Sequence, residues 1–144
     1  MLKRCRFIYF QGNKLIRNFS KCNVYTKIRL FKAYCSTIYT SHLWFRYKQA
    51  THKKITVAYN CIFRILLNIP RFEDGQSYSA SGMFARNNVK NFTALVRHSI
   101  FNFIDRLSTS CNNVINHLVS GTQTTVIFTS SIWAHWRHLL YTYL

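Results

Sequence analysis

The sequence predicts an all-α protein, with about five to seven helices in one loosely packed domain. Residues that interrupt helices are scarce, since the 144 residues include four Gly and one Pro. Apolar residues recur at spacings of three and four, the period of one helix face. Residues that begin or end helices, notably Asn23, Pro70 and Asn91, lie between these periodic segments. The loop at 71–79 is the candidate hinge.

Two helices are expected in the first forty residues. The first covers 12–19; its inward positions are Leu15, Ile16 and Phe19, and its outward ones are Lys14, Arg17 and Lys21. The second covers roughly 24–39, and the Asn23 side chain can cap it by accepting a first-turn N–H. Its inward positions are Ile28, Phe31, Cys35, Ile38 and either Ala33 or Tyr34, and its bases Lys27, Arg29 and Lys32 are expected to face outward.

Residues 1–11 form a basic leader for which two interpretations stay open. Lys3, Arg4 and Arg6 make a basic arm in the first interpretation. In the second, the segment is an accident of coding, read from upstream of a usable Met codon.

The third helix, at 51–67, has the clearest pattern of the chain. Its apolar face contains Ile55, Tyr59, Ile62 and Leu66 at spacings of three and four, widened by Ala58, Phe63 and Leu67. Thr51 is the expected N-cap. Asn68 tolerates the left-handed conformation that often ends helices, and Pro70 cannot continue one.

Turn residues and helix caps divide the second half of the chain. Glu73, Asp74 and Gly75 indicate a turn in the loop that separates a basic half, 12–70, from a near-neutral half, 80–144. Ser79 is expected to cap a helix at 80–87 that buries Met83 and Phe84. Asn91 is expected to cap a helix at roughly 92–109, and Asn112 a further helix that runs to Val119. The apolar face of the 92–109 helix is Phe92, Leu95, Val96, Ile100, Phe103, Ile104 and Leu107. Residues 122–129 favour extended structure, and Ser131 leads a terminal helix.

The charge of the chain is strongly one-sided. There are 20 Lys and Arg against three acids, a formal net charge of +17. All but five of these bases lie in residues 1–71, where there is no acid. Such a field attracts polyanions, so nucleic acid is the leading partner and an anionic membrane surface the second. The plainer alternative is a solvated basic surface without a dedicated ligand.

The cysteines and the N-terminus indicate an intracellular protein, cytoplasmic or nuclear, that is not secreted. The five cysteines are widely spread and form no C-x-x-C pair, which is typical of reduced thiols. The apolar run at the N-terminus is too short for a signal peptide, and we expect no transmembrane span.

Several segments, in order, resemble one protein family. They are GNKLIRNFSKCNVYTKIRLFKAYCSTIYTSHLW (12–44), VAYNCIFRILLNIPR (57–71), SASGMF (79–84), NFTALVRHSIFNFIDRL (91–107) and SSIWAHWRHLLY (130–141). This series is similar to the C-terminal region that follows the polymerase palm in reverse transcriptases of non-LTR, LINE-like retrotransposons of the jockey type. The resemblance implies a thumb- or linker-like helical region over 12–144.

The same resemblance implies the partners and the candidate site. Helices beyond the palm are expected to hold RNA or an RNA–DNA hybrid by its phosphates, and to dock on an upstream polymerase domain in a parent protein. The bases in the matching region are the candidate phosphate contacts: Lys27, Arg29, Lys32, Arg46, Lys48, Lys53, Lys54 and Arg64. Phosphate contacts position a strand without reading its bases, so the expected binding is not sequence-specific.

Catalysis by this chain is not expected. The family's polymerases hold two magnesium ions with paired aspartates, but this sequence has no Asp-Asp pair, and Asp105 stands alone on a helix. We therefore expect a fragment without polymerase or endonuclease activity, and no metal or cofactor. His135 and His138 are three apart, yet no recognisable third ligand accompanies them.

The sequence leaves two other functions and one local alternative open. The first alternative is that the chain is a non-functional relic reading frame. The second is that it is a basic peripheral membrane or adaptor protein, with SIWAHWRHLLYTYL (131–144) lying in the membrane interface. Trp44, Phe45 and Tyr47, beside Arg46 and Lys48, either stack on single-stranded bases or plug the core, and we favour the core.

Overall fold

The all-α prediction is confirmed by a computed structural model that describes residues 2–37, 49–73, 76–77 and 79–117. The chain divides into two compact units. The first unit comprises Met1–Tyr39 and Tyr47–Leu95, and the second comprises Thr40–Arg46 and Val96–Leu144. The helices and strands are α1 (Leu2–Asn18), α2 (Val24–Tyr34), α3 (Gln49–Leu67), β1 (Phe72–Glu73), β2 (Gln76–Ser77), α4 (Ala80–Arg86), α5 (Phe92–Ser108) and α6 (113–117).

Helix α3 is the centre of the first unit, and its predicted apolar face is confirmed. Ile55, Tyr59, Ile62, Phe63 and Leu66 are all buried. The N-cap prediction for Thr51 is wrong, because α3 begins at Gln49 and Thr51 is a buried residue of its first turn. Ala50, a strong helix former, extends the helix past the residue that was expected to cap it.

The C-terminus of α3 ends as the sequence predicts. Asn68 has a left-handed backbone, with φ 54°. The amide of Ile69 donates to the Arg64 carbonyl at 3.0 Å, and that of Asn68 to the Ile65 carbonyl at 3.2 Å. This Schellman motif satisfies carbonyls that would otherwise lack partners. Asn88 ends α4 in the same way, with φ 50°.

Helix α1 is longer than predicted and packs against α3. The helix expected at 12–19 already begins at Leu2, so most of the segment interpreted as a leader is helical. Ile8, Gly12 and Leu15 are buried at spacings of four and three. Gly12 faces Ile62: a Cβ there would lie 2.6 Å from Ile62 Cδ1. The missing side chain lets the two helices approach closely, which outweighs the poor helix propensity of glycine.

Aromatic rings from four helices meet at α3. Phe31 of α2 lies 4.9 Å from the Tyr59 ring and 4.7 Å from the Phe63 ring, centroid to centroid. Phe84 of α4 stacks on Phe63 at 4.7 Å, and Phe92 of α5 lies 6.0 Å from Tyr59. These offset and tilted pairs are the geometries that aromatic quadrupoles favour, and they join α2, α4 and the start of α5 to α3.

Helix α2 begins as predicted but ends early. Asn23 is its N-cap, with the Asn23 Oδ1 accepting from the Thr26 amide at 2.8 Å. The helix ends at Tyr34 rather than near 39. Ala33 and Tyr34, the two alternatives for one inward position, are both exposed, so that prediction is wrong. Position 38 lies outside the described residues.

The second half follows most of the predicted boundaries. The segment expected to be a loop at 71–79 contains an antiparallel pair, with Phe72 opposite Ser77 and Glu73 opposite Gln76. Met83 and Phe84 of α4 are buried, as predicted. Asn91 and Asn112 accept from the amides of Ala94 and Val114 at 2.8 and 2.9 Å, which confirms both N-caps. The predictions for residues 118–144 lie outside the described residues.

Candidate nucleic-acid interface

The side of α3 that faces away from the core carries three bases, beside the exposed apolar residues Val57 and Ile65. Lys53 and Lys54 are exposed, and Arg64 is half-buried. Lys53 and Arg64 are eleven residues apart, about three turns, so they project from the same side of the helix. The buried Ile55, Ile62 and Leu66 lie on the opposite side. The hydrophobic core therefore fixes the direction in which these three bases point.

Two arginines line the surface at the C-terminal end of α3. Arg64 Nη1 donates to the Pro70 carbonyl at 2.8 Å, and Arg71 Nη2 lies 3.8 Å from the Cys61 sulfur. Both arginines line a shallow depression of about 350 Å³. Cations are favourable at this end of a helix because the macrodipole is negative there. The depression thus carries two positive side chains over the last two turns of α3.

A second basic feature is an open cleft of about 490 Å³, which we call the lysine cleft. Lys32 of α2 and Lys90, which precedes α5, both line it, together with Ser36, Asn88 and Val89. Both lysines are exposed. An anion in the cleft would meet two ammonium groups that come from different parts of the chain.

The Tyr59 hydroxyl holds the segments that carry the two lysines. It donates to the Lys90 carbonyl at 3.2 Å and lies 3.0 Å from the Ser36 hydroxyl. Burial raises the pKa of Tyr59 well above its ordinary value, with Cys35 adding to the rise and the Ser36 hydrogen bond opposing it. The phenol therefore stays protonated at neutral pH and remains a donor to the Lys90 carbonyl.

Arg29 is exposed on α2 beside an aromatic ring. Its guanidinium carbon lies 5.2 Å from the centre of the Tyr25 ring, a cation–π distance, and Tyr25 is itself exposed. The contact restrains the Arg29 side chain while leaving its charge accessible to a ligand.

The prediction that Lys27 faces outward is wrong, because this residue is buried, at 8% exposure. Lys27, Phe31 and Cys35 follow at intervals of four and are all buried, so they form one stripe of α2. The helical period places Lys27 on the inner side in spite of its charge. Of the other candidates, Arg46 and Lys48 lie outside the described residues.

Sequence reasoning missed Lys90 and Arg71. Each stands next to a residue that was singled out: Lys90 precedes the Asn91 cap, and Arg71 follows Pro70. Lys90 lines the same cleft as Lys32 because of tertiary contacts, whereas Arg71 lines the same depression as Arg64 because of the turn that ends α3. The order of residues therefore carried a signal for turns here and none for a shared site.

No arrangement for metal or thiol chemistry is found in the described part of the chain. No group of three His, Cys, Asp or Glu side chains there could hold a metal ion, and His135 and His138 lie beyond it. All five cysteines fall within the described ranges and are free thiols. Burial raises the pKa of Cys35 to about 12, which keeps this thiol protonated and unreactive at neutral pH. Among the described helices, none has both the length and the apolar character to span a membrane.

No protein-family model, curated protein or solved structure matches this chain.

Proposed function

We infer that this chain binds nucleic acid without sequence specificity, and that it is related to the region that follows the palm in reverse transcriptases of non-LTR retrotransposons. The observation that supports binding best is the basic side of α3. Lys53 and Lys54 are exposed and Arg64 is half-buried, on the side of α3 opposite its buried apolar residues. They lie in residues 1–71, which contain no acid. The family relation rests on the ordered series of similar segments.

The ligand atoms in this proposal are phosphate oxygens. The rise from Lys53 to Arg64 along α3 is roughly 16 Å, enough to span several phosphates of one strand. Lysine ammonium groups on flexible stems suit phosphate contact, whereas base reading usually needs rigid, planar, bidentate groups. RNA or an RNA–DNA hybrid is the proposed ligand.

A matched pair of double variants tests whether α3 forms the phosphate surface. Lys53→Gln/Lys54→Gln removes two charges from α3, and Lys21→Gln/Arg106→Gln removes two exposed charges elsewhere. Binding of a labelled RNA–DNA hybrid is measured over a salt series. The α3 variant is expected to lower the steepness of the salt dependence by about two contacts. Equal losses in the two variants would show that net charge alone, rather than a surface on α3, governs binding.

The proposal also states that the chain has no polymerase activity of its own. A primed RNA template, deoxynucleotides and Mg²⁺ with the purified chain should yield no extended product, because clamping two metal ions requires several placed carboxylates. Template-dependent synthesis by the purified chain would overturn this part.

A further inference from the structure

The outer side of α1 combines exposed aromatic rings with bases. Phe7 and Phe10 are 44% and 66% exposed, unusual values for phenylalanine in a packed helix. Arg6, Lys14 and Arg17 are exposed on the same side. The opposite side of α1, with Ile8, Gly12 and Leu15, is the one packed against α3. We call the exposed residues Arg6, Phe7, Phe10, Lys14 and Arg17 the α1 outer face.

The spacing in the α1 outer face interleaves rings and charges. Arg6 lies four residues before Phe10 and Lys14 four after it, so the Phe10 ring has a base one turn away in each direction. Phe7 lies three before Phe10, and Arg17 lies seven after it, about two turns. The Phe10 ring therefore has two bases one turn away, and the Phe7 ring lies beside Phe10 on the same side of the helix.

The alternation of rings and charges indicates whether an exposed aromatic helix suits a membrane surface or a nucleic acid. A helix that lies in a membrane interface segregates its apolar residues on one face and its charges on the other. In α1 the segregated apolar side is already used against α3, and the remaining side is mixed. Proteins that bind single strands combine aromatic stacking platforms with positive charge along the backbone path, which is the mixture seen here.

We propose that the α1 outer face binds single-stranded nucleic acid, with nucleobases stacked on Phe7 and Phe10 and phosphates contacted by Arg6, Lys14 and Arg17. The charge of the ligand complements a segment without acids, and unpaired bases offer the flat faces that the rings require. A duplex keeps its base faces stacked inside and would contact the charges alone. The proposal rests on the proposed function and deepens it, because it names a strand type and a second surface.

Phe10→Ala and Phe101→Ala form a matched pair for the test. Both phenylalanines are exposed on helices, at 66% and 60%. Phe10 has a base four residues away on each side, whereas Phe101 of α5 has Arg97 four residues before it and the acid Asp105 four residues after it. Fluorescence anisotropy gives the affinity of the whole chain for a labelled 20-nucleotide uridine RNA and for an RNA–DNA hybrid of equal length. Phe10→Ala is expected to weaken single-strand binding about tenfold. Its affinity for the hybrid, and both affinities of Phe101→Ala, should stay within about twofold of wild type.

The outcomes separate this proposal from the proposed function. Equal, small effects of Phe10→Ala and Phe101→Ala on single-strand binding, while the wild type binds the hybrid, would overturn the α1 surface alone. A wild type that binds neither ligand would overturn both. Parallel loss on single strand and hybrid would overturn stacking on Phe10. Flotation with phosphatidylserine vesicles adds one arm: vesicle binding lost in Phe10→Ala, with RNA binding intact, would assign the face to a membrane.

Discussion

At the scale of single residues, Gly12 has the most consequential environment. A methyl group there would meet Ile62, which is fully buried and cannot easily move. Overpacking of this kind typically costs about 1–3 kcal/mol, and the better helix propensity of alanine offsets roughly 1 kcal/mol of it. Gly12→Ala should therefore lower the free energy of unfolding, measured by urea denaturation.

Gly82→Ala is the control for that change. The nearest side-chain atom to a Cβ at Gly82 is Ser79 Cβ at 3.9 Å, an ordinary contact. Alanine should stabilise α4 by up to about 1 kcal/mol through helix propensity. If Gly12→Ala has the same free energy of unfolding as Gly82→Ala, that result would contradict the close contact between α1 and α3 at Gly12.

The buried thiol of Cys35 should make the free energy of unfolding fall as the pH rises into the alkaline range. Its pKa rises from 9.0 to about 12 through burial. The unfolded thiol ionises above about pH 9 while the folded one stays protonated, so this contribution to stability is complete below pH 9 and is lost towards pH 12. In urea denaturation from pH 8 to 10, Cys35→Ala should show a shallower decline than wild type. The exposed Cys111→Ala should follow wild type, and identical slopes for all three proteins would contradict the burial of Cys35.

At the scale of helices, two N-caps predicted on equal grounds differ in the structure. The Asn91 side chain accepts from the Ala94 amide, whereas Ser79, within the described residues, makes no side-chain capping bond to α4. Asn91→Ala should cost about 1 kcal/mol of unfolding free energy, and Ser79→Ala should change it by less than about 0.5 kcal/mol. Thermal or urea denaturation of the two variants checks this, and a reversed order would contradict the two cap geometries.

The helices also show which features could be predicted from the sequence. Helix α3 was predictable because its apolar residues keep a strict period from Ile55 to Leu67, more than three turns. Helix α1 was not, because Gly12 signals a helix boundary by propensity and is retained by a tertiary contact with Ile62. Lys27 was predicted to face outward because it is charged. Its four-residue spacing from Phe31, which lies four residues before Cys35, instead places it on the buried side. The lysine cleft needs the Lys90 segment folded against α2, and local pattern carries no information about that approach.

At the scale of the whole molecule, positive charge dominates. A formal net charge of +17 on 144 residues repels itself and favours any ligand that brings phosphates. The structure places exposed bases on α1, α2 and α3 while the apolar sides of these helices form the core. Folding and polyanion binding thus use opposite sides of the same helices, so charge variants can reduce binding without removing core contacts.

The salt dependence of binding tests the central claim most directly. The dissociation constant of the wild-type chain for a labelled RNA–DNA hybrid is measured from about 50 to 500 mM salt, and its logarithm is plotted against that of the salt concentration. The account predicts a straight line whose steepness corresponds to about four or more released counterions, because at least that many exposed bases are available. A dissociation constant that changes less than about threefold over the range, or no measurable binding at 50 mM, would contradict it.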